Sequence, residues 1–199
     1  MLNAVVIGAG HNGLSCAVML AQGGARVTVL EARKAIGGAV RTERPFAKAP
    51  KLGASTGAYL LGLMPPELMQ KLGIVIPTIR RDPHYFLPTT DGRHLLFGSD
   101  DAVTKEQMIR FFSQADYDAH TALQAEIGQM RDDVAPTWLE EPLTIEETAE
   151  KYVRPALRTA FVDLCRKPIS HYLGRFGFKS DLLMAMYATT DAFSGLYGS

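Results

Sequence analysis

The sequence predicts an α/β fold: an N-terminal βαβ unit, then a β-hairpin, then a mainly helical region. Three observations predict it. AVVIGAGHNGL places glycines between a short apolar run and a stretch of helical spacing. RVTVL alternates, is rich in β-branched residues and ends against an acid, Glu31. Beyond residue 74 the pattern changes to a hairpin signal and then to helical periodicity. The expected division is residues 1–73 and residues 74–199.

Residues 4–7 are continuously apolar, as a buried strand of a parallel sheet is expected to be. Residues 13–22 have helical spacing, with Leu14, Val18 and Ala21 on the face expected to be apolar. Gly23 and Gly24 end that helix, because glycine reaches C-terminal cap geometries without a side-chain clash. Residues 26–30 form the second strand, and the crossover between the two is expected to be right-handed. In HYFLPTTDGRHLLF, Asp91-Gly92 is a hairpin turn signal, and Pro88 restricts the first arm because it has no N–H to donate. Leu123, Ile127, Met130 and Val134 recur at helical spacing until Pro136. Thr144 and Glu147 make a capping box for the next helix, Pro155 interrupts that helix, and a last helix is expected over residues 180–193.

Composition sets outer bounds. With 47% apolar and 21% charged residues the chain belongs among soluble globular proteins. Lys plus Arg and Asp plus Glu balance at 21 each, which gives no strong field for nucleic acid or anionic lipid. The five histidines are scattered, and no metal-ligand spacing occurs. Cys16 and Cys165 are far apart and are expected to be reduced core or near-core thiols. No leader and no membrane-length apolar run is visible, so the default location is cytoplasmic.

The chemistry concentrates near the N-terminus. Gly8, Gly10 and Gly13 form G-x-G-x-x-G between strand and helix, with Ala9 and Asn12 in the same turn. The first glycine permits the tight turn, the second lets a pyrophosphate approach the backbone, and the third lets helix and strand pack closely. The free amides and dipole of the helix start then face the phosphates. Glu31, about twenty residues on, is placed to accept the hydroxyls of an adenosine ribose, and it disfavours a 2′-phosphate. Ala32 and Arg33 come after it, with Arg33 beside the adenine or, alternatively, near such a phosphate. These residues point to a dinucleotide.

Beyond Glu31, the stretch ARKAIGGAVRTE resembles the glutathione-reductase-type class of FAD oxidoreductases. There an acid, a spacer and a Gly-Gly pair extend the fingerprint. The resemblance implies that Gly37-Gly38 let the chain pass close to the flavin side, with Arg41 near the pyrophosphate. GAGHNGL followed by EAR and IGGA resembles the phytoene desaturase-like branch, which includes the pyridine nucleotide-disulfide oxidoreductase domain-containing proteins. KLGASTGAYLLGLMPPELMQKLGI is similar to the segment that in that branch passes near the flavin ring before a short helix. Ser55 would then lie nearest the chemistry; a turn or cap hydroxyl is the alternative reading of it.

The resemblance implies FAD as cofactor, a Rossmann-like FAD-binding βαβ domain, a helical substrate-side region and a flavin that accepts a hydride from an apolar or amine-bearing small molecule. The cysteine pair that disulfide reductases carry after the fingerprint is missing here. Family members are much longer, so the fold is expected to be incomplete and to be completed by a further C-terminal segment or a second polypeptide; a homo-oligomer is a separate expectation. No side chain demands a catalytic role. His11 is expected as a loop residue near the pyrophosphate. His84, Tyr85 and Phe86 read first as a hairpin arm, and Met184, Met186 and Tyr187 first as core. Two other classes stay open: an NAD-binding dehydrogenase, and a non-catalytic nucleotide-binding subunit.

Overall fold

A computed structural model describes residues 1–55, 57, 58, 61 and 64–192 of the chain. It divides into two compact units, Met1–Thr78 and the residues from Ile79 onward.

In the first unit, β1 (Asn3–Ile7), α1 (His11–Gln22) and β2 (Arg26–Leu30) make the expected βαβ arrangement. The strands run parallel, with Asn3 opposite Arg26 and Ile7 opposite Leu30. The Gly23 N–H closes α1 on the Met19 carbonyl at 3.0 Å. The short strands β3 (Thr42–Glu43) and β4 (Ala54–Ser55) pair antiparallel, and α2 (Pro66–Leu72) comes next.

Three expectations about burial are corrected here. The first strand is parallel but not buried on both faces, since Val5 is 63% and Ile7 86% exposed. Helix α1 covers one face, and among the described residues no second layer covers the other. The buried face of α1 also differs from the expected one. Val18 and Ala21 are exposed, while Ala17 is buried and a Cβ on Gly13 would lie 2.1 Å from the Gly8 carbonyl oxygen. Small residues at 13 and 17, one turn apart, let the helix approach β1, and that contact sets its rotation. Cys16, next to Ala17, is therefore turned outward. Cys165 is exposed too, so neither cysteine is a core thiol.

The second unit opens with a hairpin, β5 (Tyr85–Pro88) and β6 (His94–Phe97), with Tyr85 opposite Phe97 and Pro88 opposite His94. The Asp91 carboxylate binds the Thr89 hydroxyl and the N–H of Arg93, which holds its pKa down at about 2. Helix α3 (Asp101–Phe111) is capped by Asp100, which accepts from the N–H groups of Ala102 and Val103. Helix α4 (Gln114–Val134) ends just before Pro136, and α5 (Ile145–Lys151) carries the Thr144–Glu147 capping box. Pro155 starts a 3₁₀ turn that leads into α6 (Arg158–Arg166), α7 (Ile169–Gly174) and α8 (Asp181–Ala192). Phe193, expected at the end of the last helix, lies outside the described residues.

Met108, Leu123, Met130, Tyr172, Leu173 and Leu183 form the core of this unit. Full burial of such side chains stabilises by about 1.5–3 kcal/mol each. Asp116 is 2% exposed within α4. It accepts from the Ser113 hydroxyl at 2.7 Å and from the N–H groups of Lys179 and Ser180 at 2.7 and 3.1 Å, which ties the start of α4 to the approach to α8. Burial opposes its charge, but the Ser113 hydroxyl and the two backbone donors outweigh that and hold the carboxyl below its ordinary value.

Candidate functional site

The site is built where β1 hands over to α1. The Gly8 N–H donates to the Leu30 carbonyl at 2.7 Å, which extends the strand pairing by one residue. Gly8 then takes φ +99°, a conformation that a side chain would strain, and the chain turns. Ala9 is buried in the turn. Its N–H donates to Glu31 Oε2 at 2.8 Å, and its carbonyl accepts the N–H of Gly37 at 2.8 Å. Gly10 caps α1 and forms an isolated parallel bridge with Gly37. Three chain segments thus converge: the glycine turn, the end of β2 and the Gly37-Gly38 pair.

The glycines do different work. Gly13 is required by packing, because its Cβ would strike the Gly8 oxygen. Gly38 is required by both packing and backbone, since its Cβ would lie 2.9 Å from the Gly10 Cα and its φ is +60°. Gly10 is required by neither. Its φ of −77° and ψ of 174° suit any residue. Among the described residues, a Cβ there would meet only the Gly38 Cα, at an ordinary 3.7 Å. The fold has no need of glycine at position 10, so the space a methyl group would fill is available to a ligand.

The electrostatics suit an anion beside a ribose. The first turn of α1 holds no acidic residue, and among the described residues no side chain caps it. Its unpaired amides and positive dipole end therefore remain available to phosphate. Glu31 Oε1 accepts the Arg33 N–H at 2.9 Å while Oε2 accepts from Ala9. These two donors, Arg33 first and Ala9 second, hold its carboxyl below the usual value. Each oxygen keeps acceptor capacity beyond its backbone bond, so the fixed carboxylate can still take ribose hydroxyls.

The remaining expected residues are placed less centrally. Asn12 and His11 are exposed on the first turn of α1, and the His11 carbonyl accepts the Ser15 hydroxyl at 2.7 Å. Ala32 and Arg33 are exposed just after Glu31. Arg41 is ion-paired with Glu43. Ser55 pairs with Thr42, the residue after Arg41, and its hydroxyl donates to the Ala58 carbonyl at 2.6 Å. That is a local turn bond. The Ala9 amide was the functional group least visible in the sequence: only the fold brings it to a carboxylate 22 residues away.

Residues 6–72 match the NAD(P)-binding Rossmann-like domain family. The first unit carries an NAD(P)-binding Rossmann-like domain. Three relatives of the chain bear oxidoreductase names. The mouse pyridine nucleotide-disulfide oxidoreductase domain-containing protein 2 is 36% identical over 119 residues, which cover 55% of this chain and 20% of that protein. One of the subunits of limonene dehydrogenase from Castellaniella defragrans is 30% identical over 186 residues, 92% of this chain and 33% of its own length. The L-amino-acid oxidase of Echis ocellatus is 44% identical over 77 residues, 39% of this chain and 14% of its own length. The chain thus spans a third or less of each of these three relatives. Among the described residues no helix is long and apolar enough to cross a membrane, and no cluster of three or more His, Cys, Asp or Glu side chains could hold a metal ion.

Proposed function

We propose that the chain is the nucleotide-binding part of an FAD-dependent oxidoreductase. The observation that carries this reading is Gly10, a glycine that its own fold does not require, between the bare start of α1 and the anchored Glu31 carboxylate. Gly10, Asn12 and Gly13, at the start of α1, would meet the pyrophosphate, while Gly8 and Ala9, whose N–H groups pair with Leu30 and Glu31, shape the turn beside it; Glu31 would hold the adenosine ribose, with Ala32 and Arg33 beside the adenine. Gly37 and Gly38 press a third segment against the turn and would guide the dinucleotide toward its flavin half, with Arg41 and Ser55 beyond them. FAD supplies hydride acceptance when bound, and the protein's own contribution is to bind and orient it. A small apolar or amine-bearing molecule is the substrate class.

The open face of β1 and β2, with Val5, Ile7 and Leu30 exposed, favours an assembly in which further polypeptide covers it. Oxidoreductase names among the relatives support the reaction class, and the Gly-Gly extension favours FAD over NAD. The test is an absorbance spectrum of the purified protein with mass analysis of the cofactor released on denaturation. Flavin bands and the mass of FAD are expected. A released nicotinamide dinucleotide would favour the NAD-dehydrogenase reading instead.

A further inference from the structure

The second unit contains a cavity of about 560 Å³, within the size range of small-molecule sites. Much of its lining is aromatic or apolar. Tyr85 and Phe97, opposite one another in the hairpin, stack at 5.8 Å, and Met186 and Tyr187 come from buried positions on α8. The uncharged polar part of the lining belongs to α4. His120 and Gln124 lie four residues apart on that helix, so they share one of its faces, and both line the cavity. His120 is hydrogen-bonded through Nδ1 to the Tyr187 hydroxyl, with the two rings stacked at 6.1 Å. Among the described residues its Nε2 has no hydrogen-bond partner, and that nitrogen is still open to contact. The exposed Gln124 carboxamide likewise has no partner there.

The other lining groups narrow the class of ligand. Thr104 of α3 offers no polar atom, because its hydroxyl oxygen is buried out of reach. Asp101 is exposed in the first turn of α3, where solvent and the helix dipole already balance it. His84 is exposed beside the hairpin, near Asp82. The Asp82 carboxyl is held below its ordinary pKa first by the Ser99 hydroxyl and N–H, and in part by the charges of Arg80 and His84. A charge on His84 thus already has its counter-charge. Burial lowers the affinity of His120 for a proton, which leaves that imidazole neutral at pH 7 and above. No lysine or arginine lines the cavity among the described residues. An anion would meet no unmatched positive charge here, and a cation would meet only the solvated Asp101. Recognition falls to a neutral imidazole nitrogen and a neutral carboxamide. A planar amide carries an acceptor and donors together, so it can pair with Gln124 and with Nε2 in either tautomer of His120.

We propose that this cavity is a binding site for an uncharged aromatic molecule bearing an amide, its ring against Tyr85, Phe97 and Met186 and its amide on Gln124 and His120 Nε2. The inference rests on the second unit alone and stands whether or not the first unit binds FAD.

The test uses the full chain labelled with ¹³C at methionine methyl groups, at pH 8, above the ordinary histidine range. It is titrated with four probes built on one ring system: 2-naphthamide, naphthalene, 2-naphthoate and 2-naphthylmethylammonium. A saturable shift of the Met186 methyl signal is expected with 2-naphthamide, and weaker binding with each of the other three. Gln124→Leu removes an exposed amide, and His120→Phe keeps a ring but removes Nε2. Because naphthalene makes no hydrogen bond, the ratio of naphthamide to naphthalene affinity separates lost pairing from a reshaped cavity. That ratio should fall about threefold in Gln124→Leu and about tenfold in His120→Phe, as loss of one hydrogen bond requires. Absence of a saturable Met186 shift with 2-naphthamide in the unaltered chain overturns the proposal. So does any of the other three probes binding as tightly as 2-naphthamide, or an unchanged ratio in either variant.

Discussion

Replacing Gly10 by alanine separates what the fold needs from what a ligand needs. Among the described residues the added methyl group meets only the Gly38 Cα, at 3.7 Å, and the backbone at position 10 is already one that alanine adopts. Alanine is a poorer helix N-cap than glycine, by roughly 0.5–1 kcal/mol. Its smaller unfolded-state entropy returns about 0.4–1 kcal/mol, so stability should change by less than about 1 kcal/mol. Binding should change far more. The methyl projects into the approach to the turn, and a pyrophosphate pushed off the amides there loses one or two hydrogen bonds to a charged group, about 1.5–3 kcal/mol each. FAD affinity should therefore fall at least about tenfold, and a hundredfold if two are lost. Gly13→Ala is the contrasting variant. Its Cβ would lie 2.1 Å from the Gly8 oxygen, so helix and turn must separate and both stability and binding should fall. The assays are thermal melting without ligand and fluorescence titration with FAD. A Gly10→Ala chain that binds FAD within about threefold of the unaltered chain would refute the placement of phosphate against Gly10.

Other expectations rest on the same structure. Glu31→Gln should weaken FAD and relax discrimination against NADP, because a neutral amide no longer opposes a 2′-phosphate; competition titration with NADP and NAD reads this directly. Since the Glu31 pKa lies below its ordinary 4.5, the carboxylate's contribution is complete above that value and is lost only as pH falls through the lowered pKa, so FAD affinity should be flat from about pH 6 to 8. Asp116→Ala removes an acceptor shared by one hydroxyl and two backbone N–H groups and should cost about 3 kcal/mol, a fall in Tm of about 10 °C read by circular dichroism. The depressed Asp116 carboxyl likewise stabilises the unit above its ordinary pKa of 3.8, with that stability lost as pH drops through the lower folded value. The exposed face of β1 should bind the dye ANS, and the double substitution Val5→Thr with Ile7→Thr should reduce that binding while keeping strand propensity; no dye binding by the unaltered chain would count against an uncovered sheet face.

Much of the first unit was legible because its signals are local. Glycines between an apolar run and a helical one place the turn within a residue or two, and the alternation of RVTVL places β2 at Arg26–Leu30. The Thr144–Glu147 box, the Asp91-Gly92 turn and the stop before Pro136 were readable for the same reason: each device acts within four residues. Burial was less legible. The apolar run at the start suggested a strand covered on both faces, but coverage depends on distant chain, and Val5 and Ile7 stand exposed. Helix α1 turned Gly13 and Ala17 inward, where the helical spacing of apolar residues suggested the face of Leu14, Val18 and Ala21. Hydrophobic spacing does not register that a missing side chain can be the contact.

The candidate site divides along the same line. Gly8, Gly10, Gly13, Glu31 and the Gly37-Gly38 pair were visible as residue types at telling intervals, and the fold brings them together. The distinction between glycines needed for packing and the one not so needed emerges only in three dimensions. In the second unit, Thr104, His120 and Tyr187 are separated by 16 and 67 residues and carry no shared motif, so only the packing of α3, α4 and α8 reveals the cavity they line.

The most direct test of the dinucleotide site is a set of equilibrium titrations of the ligand-free chain with FAD, ADP, FMN and NADP. FAD should bind one to one and be displaced by ADP, which shares its pyrophosphate and adenosine ribose. FMN, which lacks the adenosine half, should not displace it, and NADP should compete poorly because its 2′-phosphate faces Glu31. Displacement of FAD by FMN but not by ADP would contradict a site built from Gly10 and Glu31.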